Sequence, residues 1–182
     1  MSHSLDALPL FIQAVAFAAE KHRHQRRKDA HASPYINHPI ALAQVLAVEG
    51  GISDPLPLCA AVLHDTVEDT ETTEADLIDH FGPAIAAVVM EVTDDKDLLK
   101  HQRKQAQIDH APQLSPAAKL VKLADKISNL RDQLEHPPEG WDAERRQAYF
   151  DWAARVVAAL GPVHPQLEQR FAALMARRGE LG

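Results

Sequence analysis

The chain of 182 residues is long enough for one domain with a hydrophobic core and short for two, and its 46% hydrophobic and 25% charged residues are typical of globular proteins. It has no apolar run of the roughly 18 to 20 residues that a membrane-spanning helix needs, no signal-peptide pattern at its N-terminus and one cysteine, so we predict a single cytoplasmic domain over residues 1–182. A formal net charge of -7 argues against a general nucleic-acid binder, although it leaves room for a basic pocket that takes one phosphorylated small molecule.

Apolar residues at helical spacing run through the first third of the chain. They predict a helix from Leu10 to about Lys21 and a second one that has Pro39 in its first turn and ends at Gly50-Gly51. Ser53-Asp54-Pro55 places a capping side chain ahead of a proline, which predicts the start of a third helix. That helix carries the apolar run LCAAVL into His64-Asp65.

Cap and proline signals continue through the middle of the chain. Thr73 and Asp76 resemble a capping box for a short helix that stops near Gly82, and Pro83 opens the next helix, AIAAVVMEV. The segment TDDKD breaks this helix, and a polar helix rich in Lys, Arg and Gln follows to about His110.

Three further helices are predicted in the last part of the chain. Ser115-Pro116 starts a strongly amphipathic helix whose leucines and isoleucine recur every three or four residues. Trp141 to Leu160 and Pro165 to about Arg178 predict the last two. Because no alternating strand pattern occurs anywhere, we predict an all-α domain of roughly eight to ten helices.

The segment LHDTVEDT places four ionisable side chains at the end of an apolar run. On one continuous helix, the spacings of His64, Asp65, Glu68 and Asp69 put all four on the same side. Three carboxylates so close together repel one another, and a divalent cation removes this repulsion while using the histidine as well. Taken alone, the segment is equally compatible with a solvated acidic helix end and an incidental histidine.

Two other segments favour the metal interpretation. His38 in YINHPI lies beside the first turn of a helix, and Asp125 in KLVKLADKISNL lies on the flank of the amphipathic helix. Each has a simpler explanation alone, as a core histidine and as half of a surface ion pair. Together with His64 and Asp65 they form a set of two histidines and two carboxylates, which suits Mn²⁺, Fe²⁺ or Zn²⁺ better than Ca²⁺.

The pattern H…HD…D resembles that of the HD-domain metal phosphohydrolases. The blocks RRKDAHASPYINHP, LHDTVEDT, EVTDDK, KLVKLADKISNLRD and PEGW…YF…WA occur in the order found in the hydrolase domain of the RelA/SpoT alarmone enzymes. They are most similar to the stand-alone small alarmone hydrolases, which include the metazoan SpoT homologue. The resemblance extends from about Phe17 to Arg178, and it implies an HD-domain helical bundle.

The resemblance also implies an activity and a site. These enzymes hydrolyse the 3′-pyrophosphate of ppGpp and pppGpp to GDP or GTP plus pyrophosphate, with one Mn²⁺ per chain and a metal-bound water as nucleophile. By resemblance, the metal ligands are His38, His64, Asp65 and Asp125, and the catalytic pair is Glu68 and Asp69. The implied substrate-binding residues are Arg27, Lys28, Asn129, Tyr149, Lys100 and Arg145.

Two alternatives remain open at this point. The same fold and metal site could act mainly on another phosphorylated nucleotide, either ppApp or pppApp or the 2′-phosphate of NADPH. The chain could also be an alarmone-binding domain without activity, although a pure binder has no need of Glu68 beside the ligands. We predict a small-molecule nucleotide as the partner, without nucleic acid or membrane. The sequence does not identify the general base of the pair, protein partners or the oligomeric state.

Overall fold

The computed structural model of the protein describes residues 4–181, and these residues are helical almost throughout. Ten α-helices occur in that range: α1 Ser4–Lys21, α2 Asn37–Gln44, α3 Pro55–Leu63, α4 Thr66–Asp69, α5 Glu74–Phe81, α6 Pro83–Val92, α7 Lys100–His110, α8 Pro116–Glu135, α9 Ala143–Leu160 and α10 Pro165–Ala176. A π-helical segment, Val45–Glu49, extends α2, and short 3-10 segments follow α7 and α10. Within the described residues, β-pairing is limited to an isolated bridge between Arg26 and Pro34. The predicted all-α fold is confirmed.

The helix starts that the sequence marks with capping residues are those of the structure. Asp54 caps α3, and Ser115 caps α8 by accepting a hydrogen bond from a backbone N–H of the first turn. Thr73 and Asp76 form the predicted capping box of α5. Gly82 ends α5 with φ of 83°, a left-handed conformation in which glycine is favoured over residues with a side chain.

Two boundaries differ from the prediction. α1 begins at Ser4, ahead of Pro9, whereas the sequence suggested a start after this proline because proline is disfavoured inside a helix. α9 begins at Ala143, two residues later than the predicted start at Trp141. The side chain of Asp142 accepts a hydrogen bond from the backbone N–H of Arg145 and so caps the helix.

The prediction of one continuous helix through LHDTVEDT is wrong. α3 ends at Leu63, His64 and Asp65 form a turn, and α4 is a separate single turn that begins at Thr66. The buried hydroxyl of Thr66 donates a hydrogen bond to the carbonyl oxygen of Leu63 across this turn, at 2.7 Å. The four ionisable side chains therefore do not share one helix face.

Helices α3 and α8 lie at the centre of the molecule. α3 packs against α1, α2, α6 and α8, and the residues from Cys59 to Leu63 are fully buried. α8 also contacts α2, α6, α9 and α10, and its inner side contributes Leu123, Ile127 and Leu130 to the core. Side chains at the end of α3 and in the middle of α8 are consequently close together and shielded from solvent. No helix among the described residues is long and apolar enough to cross a membrane.

Candidate metal centre and active site

A compact group of histidine and aspartate side chains lies where α2, the α3–α4 turn and α8 meet. One ligand atom from each of His38, His64 and Asp65 lies within 4.8 Å of the other two. His64 Nε2 is 2.9 Å from Asp65 Oδ2, and His38 Nε2 is 3.3 Å from Asp125 Oδ1. The structure thus brings together the four residues that the sequence proposes as metal ligands.

Both histidines are buried, and the ring of His64 is oriented as that of a metal ligand, with Nε2 facing the cluster. Its Nδ1 lies 2.8 Å from the carbonyl oxygen of Ala61 in the last turn of α3. A carbonyl oxygen accepts only, so Nδ1 carries a hydrogen, and Nε2 is the ring nitrogen left to bind a metal. Such a hydrogen bond from the remote ring nitrogen is typical of histidines that bind metals.

The two carboxylates are held by donors outside the cluster. The hydroxyl of Tyr35 donates to Asp65 Oδ2. Asn129 Nδ2 donates to Asp125 Oδ1 at 2.6 Å, and the ammonium of Lys126 lies 2.9 Å from the other oxygen. These bonds fix the direction of both carboxylates, as outer partners do in metal centres.

The electrostatics of the cluster favour a positive charge at its centre. Burial alone would lower the pKa of His64, but the adjacent Asp65 carboxylate outweighs burial and raises that pKa to about 9. Burial would likewise raise the pKa of Asp65, yet its interaction with His64 holds the pKa well below the ordinary value. Two imidazole nitrogens and two carboxylates of this kind fit a divalent cation.

A cavity of about 620 Å³ opens on one side of the cluster. Of the residues proposed from the sequence, its wall contains Arg27, Lys28, His38, Asp69, Asn129 and Tyr149. This volume lies within the range of ligand pockets, and the two cations supply positive charge for an anionic ligand.

The large cavity also contains residues that the sequence reasoning missed. Tyr35, Asp132 and Trp141 lie in its wall. Asp132 accepts a hydrogen bond from Arg27, whose guanidinium carbon lies 5.8 Å from the centre of the Tyr35 ring. Asp132 is seven residues after Asp125, two turns further along the same side of α8, and this helical spacing is a signal from which it could have been found.

Two proposed substrate-binding residues lie outside the wall of the large cavity. Arg145 stacks on Trp141, with its guanidinium carbon 4.0 Å from the ring centre, so it reaches the cavity only through this side chain. Lys100 is the exposed first residue of α7. The roles of both remain predictions. One turn after Lys100, Lys104 lies 5.9 Å from the centre of the Tyr149 ring.

A smaller cavity of about 100 Å³ meets the cluster from another side. Its wall consists of His64, Asp65, Glu68, Val92, Asp94, Gln107, Val121, Lys122 and Asp125. The two cavities have no wall residue in common, and His38 lies in the wall of the large cavity while the other three proposed ligands lie in that of the small one. The ligand cluster therefore contributes wall residues to both cavities.

The neighbouring carboxylates Glu68 and Asp69 face different cavities. Glu68 lies in the wall of the small cavity, where the backbone N–H of Asp94 donates to its Oε2 at 3.0 Å. Burial, together with nearby carboxylates, raises the pKa of Glu68 to about 7. Asp69 lies in the wall of the large cavity, and its Oδ1 is 2.8 Å from the ammonium of Lys96.

Comparison with known proteins places these features in a family. A model described as HD domain matches residues 14–155. The guanosine-3′,5′-bis(diphosphate) 3′-pyrophosphohydrolase MESH1 of Homo sapiens is 54% identical over 168 residues, which cover 92% of this chain and 94% of that protein. The protein of the same name from Drosophila melanogaster is 47% identical over 171 residues, or 94% of this chain and 96% of the relative.

A longer bacterial protein and a solved structure are also similar. A guanosine-3′,5′-bis(diphosphate) 3′-pyrophosphohydrolase of Aquifex aeolicus is 37% identical over 123 residues, which make up 65% of this chain and 17% of that protein. A solved structure described as "A metazoan ortholog of SpoT hydrolyzes ppGpp and plays a role in starvation responses" has a TM-score of 0.90 and 46% identity, and the match covers 94% of this chain and 96% of that one.

Proposed function

Since the chain belongs to the HD domain family, with relatives at about half identity that are named pyrophosphohydrolases, we propose that it hydrolyses the 3′-pyrophosphate of guanosine alarmones. Its products from ppGpp and pppGpp are GDP and GTP, each with pyrophosphate. The observation that carries the proposal is the ligand cluster, which contributes to the walls of two cavities, one of nucleotide size that contains Arg27 and Lys28 and one that contains the half-buried carboxylate of Glu68.

The large cavity takes the nucleotide. Arg27 and Lys28 offset the negative charge of its phosphates, and hydrogen bonds between these cations and phosphate oxygens are of the strong, charge-assisted kind. Tyr149 offers an aromatic face to the base, and Asn129 supplies amide groups next to the cluster. Arg145 extends this surface through Trp141.

His38, His64, Asp65 and Asp125 hold one divalent cation in this proposal, and we assign Mn²⁺. When bound, such an ion lowers the pKa of water and polarises a phosphoryl oxygen. The protein contributes the orientation of the ligands, through the hydrogen bonds to Ala61, Tyr35, Asn129 and Lys126.

Glu68 acts as the general base. One of its oxygens is held by the backbone N–H of Asp94, which leaves the other to accept a proton from water in the small cavity. The water oxygen bonds to the phosphorus next to the sugar, the bond from this phosphorus to O3′ breaks, and O3′ takes up a proton as pyrophosphate is released. A pKa near 7 suits this task, because a large share of the group is ionised at neutral pH and the carboxylate is still basic. Asp69 lies on the nucleotide side and orients groups there.

The experiment is turnover of ppGpp by purified protein supplied with Mn²⁺, measured as released pyrophosphate. Asp65→Ala and Glu68→Ala are expected to abolish turnover, the first with loss of Mn²⁺ binding and the second without it. Full activity of the Asp65 variant would contradict the metal assignment. Initial rates on ppApp and NADPH belong in the same assay, and a higher rate on either than on ppGpp would contradict the guanosine alarmone as substrate.

A further inference from the structure

The small cavity contains a buried lysine that the mechanism above does not use. Lys122 of α8 is 9% exposed, and its ammonium donates to the carbonyl oxygen of Val92 at 3.0 Å. The nearest carboxylate oxygen paired with it, Oδ1 of Asp94, is 3.9 Å away. Among the described residues this is one hydrogen bond for three N–H donors. Burial lowers the pKa of this ammonium, as expected for a charge so weakly compensated.

Stability alone does not account for this lysine. A buried charge with incomplete pairing costs folding free energy, and apolar side chains of similar size often replace such charges without loss. Val121 and Leu123, on either side of it in α8, are buried and apolar. A charge that costs stability in the wall of a cavity next to a candidate active site indicates a functional role.

The composition of the small cavity favours water over phosphate. Its carboxylates are Asp65, Glu68, Asp94 and Asp125. They repel a phosphate group, whereas water can donate to them. The ammonium of Lys122 and the amide of Gln107 can donate hydrogen bonds to the oxygen of such a water. A volume of about 100 Å³ holds a few water molecules.

The geometry of phosphoryl transfer fits this arrangement. The attacking and leaving oxygens lie roughly in line on opposite sides of the phosphorus. If the nucleoside and its O3′ occupy the large cavity, the attacking water must approach the phosphorus from the side opposite O3′, and the small cavity, whose wall contains three of the four proposed ligands, can supply it. Glu68 is in the wall of that cavity.

We infer that the small cavity is the water side of the reaction and that Lys122 is a positioning residue there, which holds water for Glu68 without touching the nucleotide. The inference rests on the proposed function. The ammonium donates to the water oxygen, so the hydrogens of that water point to the carboxylates. Lys122 also offsets part of the negative charge that the carboxylates concentrate around the phosphorus. Removal of the Lys122 ammonium therefore lowers the rate at which bound substrate reacts and leaves nucleotide binding unchanged.

The test is Lys122→Met, which keeps the length of the side chain and removes the charge. Lys119→Met is the matched control, because Lys119 precedes Lys122 by one turn of α8, and its ammonium likewise donates to a backbone carbonyl, that of Leu160, at 2.8 Å. Lys119 is not in the wall of either cavity.

For Lys122→Met we expect kcat for ppGpp to fall by about 10- to 100-fold, the scale of outer-shell substitutions. KM is expected to stay within about twofold, and Mn²⁺ affinity by calorimetry and the melting temperature to be no lower than in the wild type. Lys119→Met keeps wild-type kcat.

Each other outcome overturns the inference. A raised KM with unchanged kcat would show that Lys122 contacts the nucleotide, a loss of Mn²⁺ affinity would make it part of the metal centre, and wild-type kinetics would leave it without a role. If Lys122→Met does not fold, Lys122→Gln, which retains a donor for the carbonyl of Val92, takes its place with the same criteria. Failure of the proposed function is distinguishable, because then the wild-type protein itself does not turn over ppGpp.

Discussion

Glu68 and Asp69 are adjacent in sequence, yet the chain gives them different surroundings. Glu68 is held by a backbone N–H in a small acidic cavity, whereas Asp69 pairs with Lys96 at the edge of the large one. Two carboxylates with such different environments are suited to different tasks. The pH dependence of the reaction should therefore reflect the ionisation of Glu68.

We expect kcat/KM for ppGpp to fall as the pH is lowered, because protonated Glu68 cannot accept a proton from water. Burial raises the pKa of this carboxyl from 4.5 to about 7 in the protein without metal. A bound cation favours the ionised form and lowers the pKa again, so the apparent pKa of the acidic limb should lie between these values. The measurement is a pH profile of kcat/KM at saturating Mn²⁺. Asp69→Asn should show the same fall of kcat/KM at low pH, with lower activity throughout. Loss of this fall in Asp69→Asn would assign the role of general base to Asp69.

The hydroxyl of Tyr35 permits a second test, of how outer hydrogen bonds support the metal ligands. Tyr35→Phe removes the hydroxyl that donates to Asp65 Oδ2 and keeps the ring that faces Arg27. Outer-shell hydrogen bonds of this kind contribute about 10- to 100-fold to metal affinity, so we expect weaker Mn²⁺ binding by calorimetry and an unchanged KM for ppGpp at saturating metal.

Tyr149→Phe serves as the contrasting variant, because both tyrosines lie in the wall of the nucleotide cavity but only the Tyr35 hydroxyl donates to Asp65. It should change KM for ppGpp and leave Mn²⁺ affinity unaltered. Equal Mn²⁺ affinity in Tyr35→Phe and the wild type would refute the role of the Tyr35 hydroxyl.

At the scale of helices, the break between α3 and α4 shapes the site. The turn at His64 and Asp65 separates the two short helices, and the bond from Thr66 Oγ1 to the carbonyl of Leu63 spans it. Asp65 of the turn and Glu68 of α4 line the small cavity, while Asp69, the next residue of α4, reaches the large one.

Thr66→Val removes this bond with little change in shape. The substitution leaves the carbonyl of Leu63 without its side-chain donor in a fully buried place, so we expect a loss of about 1 to 3 kcal/mol in the free energy of unfolding and a lower kcat. Urea denaturation and steady-state kinetics measure the two effects. Asp54→Ala is the control, since it removes the cap of α3 at the far end of that helix and should cost about 1 kcal/mol without an effect on kcat. An unchanged kcat in Thr66→Val would show that the turn does not depend on this bond.

The sequence predicted helices where local chemistry determines them. Ser115 ahead of Pro116, and Thr73 with Asp76, mark helix starts by bonds within a single turn, and both starts were correct. The break at His64 was missed because LHDTVEDT contains no glycine or proline and fits helical spacing, so only its tertiary surroundings distinguish a turn from a helix.

Candidate ligands were accessible from the sequence, but the cavities were not. His38, His64, Asp65 and Asp125 belong to recognisable blocks, and the structure places them together. The small cavity instead combines the end of α6, a residue of α7 and the middle of α8, and no spacing within one segment shows that these positions meet. Lys122, three residues before Asp125, had no predicted role; it is buried, and its ammonium donates to the carbonyl oxygen of Val92.

At the scale of the whole molecule, the ligand cluster joins parts of the chain that are far apart in sequence. His38 is in α2, Asp65 in the α3–α4 turn and Asp125 in α8, so a divalent cation held by these residues would cross-link three elements of the core. An ion that binds the folded chain and not the unfolded one stabilises the fold by mass action.

Removal of metal should therefore lower the melting temperature. At Mn²⁺ one hundred times above its dissociation constant, the expected stabilisation is about 2.7 kcal/mol. For a chain of this size each kcal/mol shifts the midpoint by roughly 2 to 4 °C, so chelation with EDTA should lower it by about 5 to 10 °C. Differential scanning calorimetry with and without Mn²⁺ measures the shift. Asp65→Ala should melt at the same temperature in both conditions, because the cluster has lost a ligand; an equal Mn²⁺ shift in this variant would place the stabilising ion elsewhere on the protein. Lys119→Met, whose side chain lies outside the cluster, should keep the full shift.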